Sequence, residues 1–210
     1  MNTILLIVFM ITLLYFSVAN RLMSYVSILV LQGLLVCGVS LLSLNDMNLV
    51  NLGIILLETL IVKAILMPYF IRRVILQNNI TREAEPSVPN SISLAITSAI
   101  IVLTYIATYY VPLNERINLL YFVTALSAIL SGLYFIATRR KVITHVICYV
   151  IIENGAFILS MAVGGEMPAM VNLGVLLDVL VSVFLLVIFI NKVGDVTEDG
   201  DVGGLTTLKD

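Results

Sequence analysis

Thr138-Arg139-Arg140-Lys141 opens a stretch that runs on to Lys192 and contains Ile151-Ile152-Glu153-Asn154-Gly155 and Gly174-Val175-Leu176-Leu177-Asp178-Val179-Leu180. A basic cluster is followed by an apolar run with a carboxylate at its centre, a turn, and a second such run. An acid at the middle of a membrane helix costs about 2.5–3.5 kcal/mol on insertion scales, which makes each such residue a functional candidate. Two in succession call for one explanation.

The surrounding composition establishes the membrane. The 210 residues are 60% hydrophobic and 11% charged, with a mean hydropathy of +1.12. This is far more apolar than a soluble domain of that size needs. A net charge of −2 and the absence of a basic surface argue against nucleic acid as a partner and leave lipid and other membrane proteins. Cys37 and Cys148 fall inside apolar runs, where a buried thiol is expected. With one His and no Cys-x-x-Cys, the chain is expected to carry no cofactor of its own. Redox chemistry, if any, belongs to a neighbour.

Runs long enough to cross a hydrocarbon core of roughly 30 Å lie near 2–19, 23–44, 48–71, 92–112, 116–137, 143–164 and 168–190. They lack the alternation of barrel strands, so seven transmembrane helices and an all-α polytopic fold are expected. Ser17-Val18-Ala19 resembles a cleavage site, but no basic region precedes it, so the first run reads as a retained span. With seven spans, Arg21, Arg72, Arg73, Arg82, Arg139, Arg140, Lys141, Lys192 and Lys209 fall on one side, and Arg116 on the other. The positive-inside rule then places the N-terminus outside a cell membrane and the C-terminus in the cytoplasm.

Leu14-Tyr15-Phe16 returns as Leu133-Tyr134-Phe135, and Val50-Asn51-Leu52-Gly53 as Val171-Asn172-Leu173-Gly174, at offsets of 119 and 121. Glu58 and Asp178 are 120 apart. The pattern predicts two parallel three-helix repeats, 1–76 and 115–190, with a polar linker and helix 4 over 77–114 to return the chain, and a cytoplasmic tail over 191–210. In the middle helix the counterpart of Glu153 is read as Gln32, beside Gly33.

Glu58, Glu153 and Asp178 each lie about 10 residues into their spans, or about 15 Å at 1.5 Å per residue, near the bilayer midplane. Burial favours a neutral carboxyl and a nearby lysine favours a charged one, so such a row can pass protons. Lys63, five residues after Glu58, stands about 140° around an α-helix from it and is expected to meet another helix. His145 lies two turns before Glu153, toward the basic end, and Pro68 is expected to kink helix 3. Purely structural pairing of these groups as interhelical glue remains the competing explanation.

Gly132-Leu133-Tyr134-Phe135 with Arg139-Arg140, then a helix with a central Glu and another with a central acid, resembles the K subunit of complex I and the C subunit of multisubunit cation/proton antiporters. Ile151-Ile152-Glu153-Asn154-Gly155, Leu176-Leu177-Asp178-Val179-Leu180, Val62-Lys63-Ala64 with Pro68, and the ending Leu205-Thr206-Thr207-Leu208-Lys209 resemble the hydrogenase-4 component E family. The resemblance implies a non-catalytic membrane subunit of a complex I-like ion pump, of the group 4 hydrogenase or formate hydrogenlyase type. It implies antiporter-like membrane subunits and the membrane anchor of a redox arm as partners, with iron–sulfur clusters and nickel–iron in those partners. Glu153 and Asp178 would be proton relays, Glu58 a third station, and Lys63 and His145 accessory groups. An antiporter subunit, an assembly subunit and a stand-alone transporter stay open as alternatives.

Overall fold

A computed structural model describes residues 1–43, 53, 56–77, 87–110 and 117–163. Their structure is helical throughout: α1 (Asn2–Val18), α2 (Leu22–Ser43), a π-helical segment (Glu58–Leu66) continuing into α3 (Met67–Gln77), α4 (Asn90–Tyr110), α5 (Leu119–Thr138) and α6 (Val142–Val163). Helices follow because a backbone surrounded by lipid must satisfy its own N–H and C=O groups. Four of them, α2, α4, α5 and α6, are long and apolar enough to cross a membrane, and α1 is a shorter apolar helix. The chain is a membrane protein. The seventh predicted span, with Asp178 and the tail, lies outside the described residues.

Two tight hairpins form the centre. The α5–α6 pair makes the most extensive helix interface, and α1 packs on α2, α4 and α5, while α2 bridges to α6, the π-helical segment and α3. Glycines set the spacing within the second hairpin. A Cβ on Gly132 would lie 2.5 Å from Ile152 Cγ1, and one on Gly155 would lie 2.9 Å from Ala128 Cβ and 3.0 Å from the Ala125 carbonyl. At one end, Phe16 stacks on Tyr25 at 4.3 Å and touches Phe135 at 4.7 Å between ring centroids.

The corners of the two hairpins are built alike. Val18 and Thr138 end α1 and α5, and Leu22 and Val142 open α2 and α6, each pair 120 residues apart. The corners match bond for bond. Ala19 N–H donates to the Tyr15 carbonyl at 3.0 Å and Arg139 N–H to the Phe135 carbonyl at 2.9 Å, both residues being extended. One turn on, Tyr25 Oη donates to the Ala19 carbonyl at 2.6 Å, and His145 Nε2 lies 2.7 Å from the Arg139 carbonyl. The bonded corner positions are 120 apart, and the Leu-Tyr-Phe triplets are 119 apart.

The basic residues gather at the hairpin corners. Arg139 is 97% buried, donates from Nη2 to the Ser17 carbonyl at 3.0 Å and lies 5.8 Å from the Tyr25 ring centroid. A cation at the C-terminus of α1 meets the negative end of that helix's dipole. Arg140 Nε donates to Ser87 Oγ at 3.4 Å, Ser87 N–H to the Thr138 carbonyl at 3.1 Å, and Asn90 Nδ2 to the Val18 carbonyl at 3.3 Å. These bonds draw the start of α4 to the same end.

Helix 3 departs from expectation in form. Pro68 has no N–H, and its ring crowds the carbonyl four residues back. The chain before it adopts π-helical winding, with Met67 N–H reaching the Val62 carbonyl five residues earlier. The α-helix resumes at Met67 and is described to Gln77, beyond the predicted end of the span, so Arg72 and Arg73 lie within it.

Candidate functional site

In the π-helical segment the repeat of hydrogen bonding is i to i+5. Positions 58 and 63 therefore stack one turn apart, which corrects the 140° separation expected of an α-helix. The Glu58 side chain is not among those described. Lys63 meets another helix, as its sequence position predicts: its Nζ lies 4.0 Å from Glu153 Oε1 on α6. Both side chains are almost fully buried, at 1% and 3% exposure.

Three elements make this meeting possible. On α2, Gly33 lets the backbone of the π-helical segment approach; a Cβ there would stand 2.8 Å from Ala64 Cα and 2.9 Å from its N. On α6, Glu153 is 11 residues after the start of the helix and 10 before its last described residue. Four residues on, hence on the same helix face, the ring of Phe157 lies over Lys63 Nζ at 4.7 Å from its centroid. The cation thus has a carboxylate on one side and an aromatic face on another.

Energetically, such a pair is held because neither charge can be removed alone. Deleting one partner of a buried pair leaves an uncompensated charge and costs about 3–5 kcal/mol. A separation of 4.0 Å lies beyond a direct hydrogen bond and within reach of one bridging water. A proton passed from Lys63 to Glu153 would neutralise both groups together, so the pair can exchange charge for neutrality in place.

Two further buried polar residues adjoin the site in sequence: Asn154 after Glu153, and Gln32 before Gly33. Asn154 is buried with no hydrogen-bond partner for either amide atom. Gln32 is also buried, and its Nε2 donates to Thr12 Oγ1 on α1 at 2.9 Å. At the 120-residue offset of the corner bonds Glu153 falls opposite Gly33, beside the predicted counterpart Gln32, and neither is an acid. His145 sits half-buried at the corner carbonyl of Arg139, two turns from Glu153 toward the basic end, and is a corner tie in this structure. Asp178 lies outside the described residues.

Sequence reasoning missed Phe157 and the inward turn of Arg139. The i, i+4 spacing from Glu153 could have indicated the first; an arginine beside a second one in a loop carries no signal for the second. Among the described residues no three His, Cys, Asp or Glu side chains come together to hold a metal, and Cys37 and Cys148 are both buried.

The fold and site define a helical membrane protein, with four helices long and apolar enough to span, and a buried lysine–glutamate pair between two of its helical elements. The chain is 25% identical over 168 residues to the uncharacterized protein Rv0085 of Mycobacterium tuberculosis, covering 79% of this chain and 75% of that one. It is 28% identical over 85 residues to hydrogenase-4 component E of Escherichia coli K12 and of Shigella flexneri, which spans 40% of this chain and 39% of those proteins. No family model matches the chain, and no solved structure matches it.

Proposed function

We propose that the chain is a non-catalytic membrane subunit of a complex I-like, redox-driven ion pump of the group 4 hydrogenase or formate hydrogenlyase type. Its partners would be antiporter-like membrane subunits and the membrane anchor of a redox arm, which would hold iron–sulfur clusters and nickel–iron. The observation that carries this reading is the Lys63–Glu153 pair, buried between helices from the two halves of the chain. Similarity to hydrogenase-4 component E supports the choice of machine.

In this reading Glu153 and Asp178 are alternately protonated relays, Glu58 is a third station, and Lys63 is the charge that gates or tunes them. His145 stands on the basic side of that row. A shift of neighbouring helices during turnover would change the solvation of the pair and move a proton. The common offset of 120 in helix ends and corner bonds supports two parallel repeats, with α4 returning the chain between them. The clustering of Arg21, Arg139, Arg140 and Lys141 at the hairpin corners supports seven spans with the N-terminus outside.

Mild extraction from the native membrane, capture through a tag on the tail, and analysis of co-purifying subunits and metals tests the assignment. Antiporter-like subunits with iron–sulfur and nickel–iron proteins are expected. Antiporter-like subunits with no redox protein would transfer the chain to a cation antiporter, and recovery alone would remove the pump assignment.

A further inference from the structure

At the end of the bundle opposite the arginine corners, the N-termini of α1 and α5 meet the C-termini of α2 and α6 around a cavity of about 410 Å³. Its lining includes Asn2, Ser43, Asn118 and Tyr121, with Met161 and Ala162 of α6. Asn2 Nδ2 donates to Ser43 Oγ at 3.0 Å, and Ser43 shares a short hydrogen bond with Tyr121 Oη. With Asn2, Ser43, Asn118 and Tyr121 among its lining, the cavity offers hydrogen-bonding groups and room for several waters, each occupying about 30 Å³ in the liquid.

The chamber points down one face of α6 toward the buried pair. Met161, Phe157 and Glu153 follow each other at intervals of four residues and so stack on one helix face. On α2, Ser40 lies one turn below Ser43, fully buried, with its Oγ 3.9 Å from Met161 Sδ. Further down that helix, Gly33 abuts Ala64, the neighbour of Lys63. Between chamber and pair, over the roughly 12 Å that eight helical residues span, stands the ring of Phe157, 1% exposed and in contact with Lys63.

We propose that this cavity is an aqueous vestibule giving protons access to the Lys63–Glu153 pair from the side opposite the arginine corners, and that Phe157 is the dry gate between them. A hydrophobic constriction blocks water and ions by dewetting, while a ring that can swing on its χ angles opens the passage without moving a helix. The inference rests on the reading of the pair as an ion relay. It adds the side from which the relay is served and the residue that keeps it closed at rest.

Two readings on membrane vesicles test it, both independent of redox turnover. In a chain with Cys37→Ala and Cys148→Ala, Ser43→Cys and Met161→Cys should react with a membrane-impermeant charged maleimide from the side opposite the arginines, and lipid-facing Leu41→Cys should not. Phe157→Ala should raise the passive proton leak several-fold, Phe157→Leu should remain tight, and Phe157→Ala with Glu153→Gln should be tight again. Should Phe157→Ala fail to accumulate, Phe157→Val carries the same comparison. Unreactive Ser43→Cys and Met161→Cys, an accumulated gate variant without a leak, or a leak that survives Glu153→Gln would each overturn the proposal. Loss of the relay reading itself would appear elsewhere, as redox-driven pumping unaffected by Glu153→Gln.

Discussion

The α1–α2 and α5–α6 hairpins have corners built alike and differ in chemistry at matched positions. Where the first has Tyr25 bonded to its corner carbonyl, the second has His145 doing the same; where the first has Gly33, the second has Glu153. The first hairpin uses its matched position for close packing against Ala64, and the second uses it to place a charge beside Lys63. A common scaffold thus separates into a half that positions the third helix and a half that answers its lysine. The two corners keep the same bonds, while positions further along the helices carry different side chains.

The largest test of that division acts on the charged half. Lys63→Met with Glu153 retained, or Glu153→Leu with Lys63 retained, should destabilise the chain by about 3–5 kcal/mol, because each leaves a buried charge unmatched. Lys63→Met combined with Glu153→Gln should recover much of that loss in a double-variant cycle of denaturation in mixed micelles. Losses that simply add would mean the two charges are not coupled.

Next comes the packing half. Gly33→Ala inserts a methyl 2.8 Å from backbone Cα of Ala64, where no flexible side chain can yield. Overpacking of this kind costs about 1–3 kcal/mol, and it should also widen the gap between α2 and the π-helical segment, measurable as a longer distance between spin labels on the two helices. An unchanged distance and stability would show that Gly33 does not set the approach.

The smallest effect belongs to the corners, where the halves agree. Tyr25→Phe and His145→Phe should each cost about 1 kcal/mol, the usual worth of one side-chain hydrogen bond. His145→Gln, which keeps a polar group at the corner, should lose less than His145→Phe. Equal losses would deny the bond to the Arg139 carbonyl any energetic role.

Much of this arrangement was legible in the residues. Apolar run length located α2, α4, α5 and α6, the four helices long and apolar enough to cross a membrane, and Arg21, Arg139, Arg140 and Lys141 marked the corners because unpaired charge is costly within the hydrocarbon. The π-helical winding was hidden, since side-chain pattern carries no record of whether a backbone bond closes at four or five residues. That single ambiguity misjudged the relation of positions 58 and 63. The likeness of the corners was blurred because apolar segments share letters cheaply, so the Leu-Tyr-Phe match fell one residue from the offset the corner bonds keep. Phe157 was invisible as a site residue because a phenylalanine in a membrane helix has the same letter whether it faces lipid or a lysine.

The central claim is that Glu153, paired with Lys63, carries protons. Its most direct test is redox-driven acidification or alkalinisation in vesicles containing the assembled complex, measured alongside electron flow, with Glu153→Gln against the unmodified chain. The account predicts an assembled complex whose electron flow continues while proton translocation per electron falls sharply. Translocation per electron equal to that of the unmodified complex would contradict it and leave the pair as interhelical glue.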